Sequence, residues 1–136
     1  MVYMLYRKFE PLPERTNWVS GAVVDSALAV HRYYGPGFRE SLYEESMILE
    51  LKDRGLLVES QVMYPVHYHH RLLKQRIVLD LLVEKCVVVE NKSVPNILPV
   101  HETQLLTYLK ITGLRLGLII NFNVPLIKDG IKRLIR

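Results

Sequence analysis

Residues 77–92, IVLDLLVEKCVVVENK, form the stretch that decides the fold. Its two runs rich in Val, Leu and Ile have the composition of buried strands. Between these runs, Glu84 and Lys85 mark a connection short enough for a hairpin turn. The stretch therefore predicts two neighbouring antiparallel strands, at 76–83 and 86–92.

Three charged side chains occupy fixed positions in this hairpin. Glu90 and Lys92 are two residues apart in a strand, so they project to the same face of the sheet. Asp80 interrupts an apolar run, where a buried carboxylate without a partner is costly. Two carboxylates a few ångströms apart repel each other unless a cation lies between them. A hard divalent ion with oxygen ligands fits that position.

The arrangement depends on the register of the hairpin. With a two-residue turn, Asp80 would lie opposite Val89 and point away from Glu90. With a three-residue turn or a bulge, Asp80 would lie opposite Glu90 on the same face, and we predict this second register. The structural alternative is a salt bridge between Asp80 and Lys92 that leaves Glu90 in solvent.

Two helices are predicted before the strands. Apolar residues recur at helical spacing over 17–34, and the sequence Gly35-Pro36-Gly37 ends that helix. A second helix is predicted over 40–54, with Gly55 as its C-terminal stop. The residues predicted to face inward on this helix are Leu42, Tyr43, Met47 and Leu49.

The other segments complete an α/β pattern. They predict strands at 57–63 and 66–70, a helix at 101–112 closed by Gly113, a strand at 114–122 and a short last element at 131–135. The predicted fold class is a central mixed β-sheet flanked by helices. Residues 1–15 have no clear period and are predicted to form an irregular N-terminal arm.

Composition limits the class of protein. The chain has 136 residues, 49% hydrophobic and 24% charged, which is typical of one globular domain. Its single cysteine, Cys86, is predicted to be a buried strand residue and excludes a multi-cysteine zinc site. With no membrane-spanning run and no secretory signal, we expect a cytoplasmic protein without a membrane partner. A net charge of +4 favours polyanionic partners only mildly.

The motifs together resemble a known family. Asp80, followed by Glu90-Asn91-Lys92 after a hydrophobic strand, is similar to the signature of the PD-(D/E)XK nuclease superfamily. Residues 37–43, GFRESLY, are similar to the motif of the GxxExxY protein family within it. The proline that precedes the aspartate in the superfamily signature is Leu79 here, which weakens the motif match more than the chemistry. The resemblance covers about 19–136.

The resemblance implies a fold and a metal site. The fold is a restriction-endonuclease-like core, which makes 16–136 a single nuclease-like domain. Asp80, Glu90 and Glu40 would hold Mg²⁺, with Mn²⁺ as an alternative, and Lys92 would position water. From the residues alone, Glu40 would instead be an acid that complements the dipole of its helix.

The resemblance also extends to the third helix. Gln104 and Tyr108 fit the QxxxY element and are four residues apart, so they share a helix face. Gln104 would orient water or substrate, and Tyr108 would contact phosphate. The alternating histidines of the second predicted strand are expected to form a solvated sheet face and are left outside the site. They are His67, His69 and His70.

Three functions follow, in order of preference. The first is magnesium-dependent phosphodiester hydrolysis of nucleic acid, with DNA favoured over RNA; the small size of the chain favours a homodimer or a partner protein. The second is a non-catalytic nucleic-acid-binding or protein-interaction module of the same fold. The third is a hydrolase of mononucleotides.

Overall fold

The order of elements along the chain is helix, helix, three strands, helix and two strands. The computed structural model describes residues 10–136. Its elements are α1 (Glu14–Tyr34), α2 (Glu40–Asp53), β1 (Val58–Tyr68), β2 (Arg71–Val83), β3 (Val87–Lys92), α3 (Pro99–Thr112), β4 (Leu116–Asn121) and β5 (Ile131–Ile135), with a 3₁₀ turn at Ile127–Gly130. Of the predicted irregular arm, residues 1–9 lie outside the described part, residues 10–13 have no helix or strand, and α1 begins at Glu14.

The turn between α1 and α2 is fixed by glycine and by one buried tyrosine. Gly35 and Gly37 adopt left-handed φ angles of 70° and 102°, which disfavour a side chain. The hydroxyl of Tyr43 donates to the carbonyl of Gly35 at 2.6 Å and accepts the N–H of Phe38 at 3.2 Å. The Tyr43 ring stacks on Phe122 with centroids 4.4 Å apart. Tyr43 is therefore a packing residue, and the glycines serve the turn.

The strands form one mixed sheet in the order β1-β2-β3-β4-β5. Neighbouring strands are antiparallel except β3 and β4, which are parallel and are joined through α3. A parallel pair requires such a crossover because the chain must return to the same end of the sheet. A five-stranded mixed sheet with helices confirms the predicted fold class.

The sequence predicted two separate strands, at 57–63 and 66–70. This prediction is wrong, because a single strand, β1, runs through both ranges. The gap between the two predicted strands contains Pro65, but β1 is an edge strand and tolerates a residue without an N–H donor. Pro65 pairs with Arg76, and the pairing shifts between Pro65 and His67. The partner strand β2 consequently begins five residues earlier than predicted.

The predicted inward face of α2 is wrong at one residue. Tyr43, Met47 and Leu51 are completely buried and follow one another at four-residue spacing. Leu49 lies two residues from both Met47 and Leu51, which places it on the opposite side of the helix. Its side chain is 61% exposed.

The core has one layer on each face of the sheet. On one face α1 and α2 cover the central strands, with Val23 and Met47 at 0% exposure. On the other face α3 contributes Leu105 and Leu109. A β-carbon at Gly117 would lie 2.8 Å from the Leu105 side chain, so the glycine allows α3 to approach β4. None of the helices within residues 10–136 is long and apolar enough to cross a membrane.

Two glycines provide a paired test of the packing. A β-carbon at Gly130 would clash with the backbone carbonyl of Asn121, whereas Gly21, exposed in α1, has nothing within 4 Å. We expect Gly130→Ala to destabilise the protein by about 2 kcal/mol or more. Gly21→Ala should stabilise it by about 0.5–1 kcal/mol, because alanine has the higher helix propensity. Urea unfolding measures both; a neutral Gly130→Ala would contradict the described contact.

Candidate functional site

The turn between β2 and β3 sets the relative position of the two acids. Val83 pairs with Val87, so the connection is three residues long, and the pairing continues to Leu81 with Val89. One step further along the same register, Asp80 faces Glu90. The register predicted from the sequence is therefore confirmed.

The turn itself contains two strained residues and the cysteine. Glu84 and Lys85 have φ angles of 52° and 60°, in the left-handed region. A carboxylate oxygen of Glu84 accepts the N–H of Leu57 at 2.6 Å and ties the turn to the segment before β1. Cys86 lies in this turn rather than in a strand and is half-buried, so its predicted position is wrong. Burial raises the pKa of its thiol, which keeps it unreactive.

Asp80 lies at the fork where β2 separates from β3. Backbone pairing between the two strands stops at Leu81 and Val89. Beyond that point, a carboxylate oxygen of Asp80 accepts the N–H of Asn91 at 3.0 Å. The side chain thus takes the place that a β2 carbonyl would occupy in a continued ladder. The Asp80 carboxyl group is close enough to Glu90 for each acid to affect the pKa of the other.

Burial makes ionisation costly at both acids, and Asp80 makes it more costly still at Glu90. Glu90 is only 6% exposed, and its Oε1 has no hydrogen-bond partner within residues 10–136. Burial and the neighbouring charge of Asp80 raise the pKa of Glu90 to about 9. Burial also raises the pKa of Asp80, although the Asn91 N–H opposes this. The pair therefore favours a proton or a cation between the carboxylates.

Lys92 is a positive charge close enough to affect both acids. Its charge lowers the pKa of both Asp80 and Glu90, against the larger effect of burial. Within residues 10–136, Lys92 forms no salt bridge with either acid. Because Glu90 is also buried rather than solvated, the structural alternative of an Asp80–Lys92 pair is absent.

Glu40 reaches the site from the first residue of α2. Its Oε1 accepts the N–H of Ser93 at 3.2 Å, and the Ser93 hydroxyl donates to the carbonyl of Phe38 at 2.6 Å. These contacts join the start of α2 to the end of β3. After burial, which is the largest cause, the charge of Glu40 is among those that raise the pKa of Asp80.

Glu44 is a fourth carboxylate that the sequence analysis missed. It lies one helical turn after Glu40, and Gln61 on β1 donates to its Oε1 at 2.8 Å. Its pKa is raised by burial and then by the charges of Asp80 and Glu40. The sequence could have indicated Glu44, because residues four apart on a helix, such as Glu40 and Glu44, share one face.

The third helix brings Tyr108 to the site, whereas Gln104 forms no hydrogen bond with the acids among the described residues. Burial raises the pKa of Tyr108, and the charges of Glu90 and Asp80 raise it further, so the phenol lies near the acids. Gln104 is exposed, and its side chain makes no hydrogen bond within the described chain. His101 accepts the N–H of Leu98 at 3.0 Å and caps α3, which is a structural role.

The donor chemistry of the site fits a divalent cation. Asp80 and Glu90 supply adjacent oxygen donors, one of them a buried oxygen without a partner. As the side chains stand, no three His, Cys, Asp or Glu residues among 10–136 are close enough to hold a metal ion together. Glu40 could become a third ligand, beside Asp80 and Glu90, if its carboxylate released the N–H of Ser93 and bound the ion instead.

Comparison with known proteins identifies the class of this chain. A family model described as the PD-(D/E)XK nuclease superfamily matches residues 17–134. The match covers most of the chain, which therefore belongs to this superfamily. Its members are usually nucleases, which act on nucleic acid and generally use divalent metals such as Mg²⁺. No curated protein and no solved structure matches the chain. Membership of the narrower GxxExxY family stays a prediction.

We expect Glu90→Gln to stabilise the metal-free protein. The pKa of Glu90 is about 9 when folded and 4.5 as the reference value. Between these values only the unfolded state loses the proton, so the stability that the protonated Glu90 contributes declines as pH rises from 4.5 to 9. At pH 8 the variant should melt about 3–5 °C above wild type, and at pH 4 the difference should vanish.

Thermal melts in EDTA at both pH values measure this difference. The matched control is Glu45→Gln, which neutralises an exposed acid on α2 and should leave the melting temperature unchanged. If Glu90→Gln were only as stable as the wild type at pH 8, the conclusion that ionisation of the buried Glu90 destabilises the fold would be contradicted.

Proposed function

We propose that the protein is a cytoplasmic, magnesium-dependent nuclease that hydrolyses phosphodiester bonds, with DNA favoured over RNA. The observation that carries the proposal is the pair of apposed carboxylates, Asp80 and Glu90, at the fork between β2 and β3. A structural role alone does not require two acids to be buried side by side. A cation between them would relieve their repulsion, and cation binding would explain why the fold keeps two neighbouring acids whose burial is destabilising.

Asp80 and Glu90 would hold the ion, and Glu40 would complete the set from α2. Glu44 adds negative charge from the next helical turn, which strengthens the attraction for a cation. Mn²⁺ would fit the same oxygen donors as Mg²⁺. When bound, a divalent ion polarises a phosphoryl oxygen and acidifies water.

Three other side chains act on substrate and water in this proposal. Lys92 follows Glu90 by two residues on the same strand face, so its ammonium group can orient the attacking water and stabilise charge developing on phosphate. Tyr108 can donate its hydroxyl to a phosphate oxygen. Gln104, exposed one turn before Tyr108, would position substrate at the entrance to the site.

A polymeric substrate is favoured over a mononucleotide. Three cavities of about 370–480 Å³ on the described surface are lined by residues other than Asp80 and Glu90. An enzyme for mononucleotides normally encloses its substrate in a pocket. A nucleic acid strand lying across the fork between β2 and β3 needs no such enclosure.

The first test of the proposal is metal binding. Calorimetric titration of Mg²⁺ and Mn²⁺ into the wild type should show binding, and Asp80→Asn should weaken it at least about 10-fold, because a charged ligand is lost. Glu45→Gln, an exposed acid on α2, should bind like the wild type. Absence of binding to the wild type would instead favour the non-catalytic module.

The second test separates metal binding from chemistry. Lys92→Met should keep metal affinity within about 3-fold, yet reduce cleavage of DNA or RNA about 100-fold, since a single charge-stabilising donor is removed. Cleavage is measured on labelled single-stranded and duplex oligonucleotides, with mononucleotides in parallel. Full activity of Lys92→Met would remove Lys92 from the mechanism, and salt-dependent binding without any cleavage would contradict nuclease activity itself.

A further inference from the structure

The outer part of the β1–β2 hairpin extends away from the rest of the protein. We call residues 64–77 the arm; they include the paired positions Tyr64–Ile77 and Tyr68–Arg71. Every residue from 67 to 76 is exposed, although strand side chains alternate between two faces. Both faces of the ribbon are therefore in solvent. An isolated two-stranded ribbon is only marginally stable by itself, so the arm stabilises the fold little.

The arm is basic throughout. No Asp or Glu occurs between Glu59 and Asp80, whereas the arm contains Arg71, Lys74 and Arg76. The three histidines expected on a solvated face, His67, His69 and His70, are indeed exposed. Arg71 and Lys74 form no salt bridge within residues 10–136. Their charges are thus available to a polyanionic partner.

A bulge in the arm has its own internal support. Pro65 pairs with Arg76 and His67 with Leu72, so three residues of β2, 73–75, lie opposite one residue of β1. The guanidinium of Arg76 donates to the carbonyls of Leu73 and Lys74, at 3.3 and 3.5 Å. Arg76 thereby holds the bulge, in which Lys74 is exposed. Bulges often redirect side chains next to functional sites.

The arm lies at a useful distance from the candidate metal site. Lys74 and Arg71 precede Asp80 on the same strand by six and nine residues. Because the bulge shortens the path of β2, the distances are counted along the partner strand: Lys74 lies five β1 residues and Arg71 seven β1 residues from the position opposite Asp80. At about 3.3 Å per residue, these separations are roughly 16 and 23 Å. One turn of duplex DNA is about 34 Å long, and its major groove admits a two-stranded ribbon. A duplex whose scissile phosphate lies at Asp80 would therefore reach the arm within a single turn.

We propose that the arm binds the phosphate backbone of a nucleic acid duplex, through Arg71 and Lys74, between half a turn and one turn from the bond that is cut. This inference rests on the proposed nuclease function for its choice of substrate. The charge of the arm favours a polyanion as partner, because the arm has basic side chains and no acidic residue. Arg76 is a structural residue of the bulge.

Binding of duplex DNA in EDTA tests the arm without cleavage. The probe is a fluorescein-labelled duplex of about two turns, and its anisotropy is measured at increasing KCl. We expect Arg71→Gln/Lys74→Gln to weaken binding about 10-fold or more at low salt. The slope of log K against log[KCl] should become less negative by about 2, because two phosphate contacts are lost. Lys128→Gln/Lys132→Gln removes the same charge near β5, at the opposite edge of the sheet, and should leave the slope unchanged.

Several outcomes would overturn the arm proposal. The first is an equal loss of duplex affinity in both double variants. The second is an arm variant whose slope of log K against log[KCl] equals that of the wild type, and the third is a wild type that binds no duplex. A change of oligomeric state in the arm variant, measured by analytical ultracentrifugation, would identify the arm as a dimer contact instead. Failure of the nuclease proposal is seen separately, as absence of cleavage with Mg²⁺ by a wild type that binds duplex normally in EDTA.

Discussion

The hydrogen bond from the Asn91 N–H to the Asp80 carboxylate is the contact on which the site depends. It is formed where backbone pairing between β2 and β3 ends, so a side chain continues what the main chain began. The fork that results lets an acid from each strand meet beside the sheet. If a β2 carbonyl accepted that N–H, the ladder would continue and Asp80 would be one more residue of an ordinary strand.

This arrangement sets function against stability. Glu90 lies almost fully buried beside Asp80, and α2 adds Glu40 and Glu44 within range of their charge. Only Lys92 opposes them directly, and it forms no ion pair with the two strand acids in the described chain. The helices cover both faces of the sheet at β3 and β4, and this apolar packing stabilises the domain enough to tolerate the repulsion between the acids. Binding of a divalent ion would then stabilise the folded state.

The sequence predicted the site only where local rules operate. The three-residue turn and the register of Asp80 with Glu90 follow from strand pairing, and the helix ends follow from glycine. Tertiary position is not encoded in this local way. The strand β1 was predicted as two strands because the sequence does not show that its pairing with β2 continues past Pro65. Leu49 was predicted to face inward because an apolar side chain does not by itself identify its helix face. The contact of Gln61 with Glu44 joins segments that only the folded chain brings together.

The distribution of charge connects the site to the arm. A nucleic acid backbone approaching the site meets the acids Glu40, Glu44 and Asp80, whose negative charges repel it. A cation at the site would turn this repulsion into attraction for the nearest phosphate. It could not by itself hold a long polyanion, because its charge is largely neutralised by its own ligands. The attraction needed for binding must therefore come from elsewhere on the surface. The arm supplies basic residues on the strand that contains Asp80, so in the proposed function the strand that positions the acid would also orient the substrate toward it.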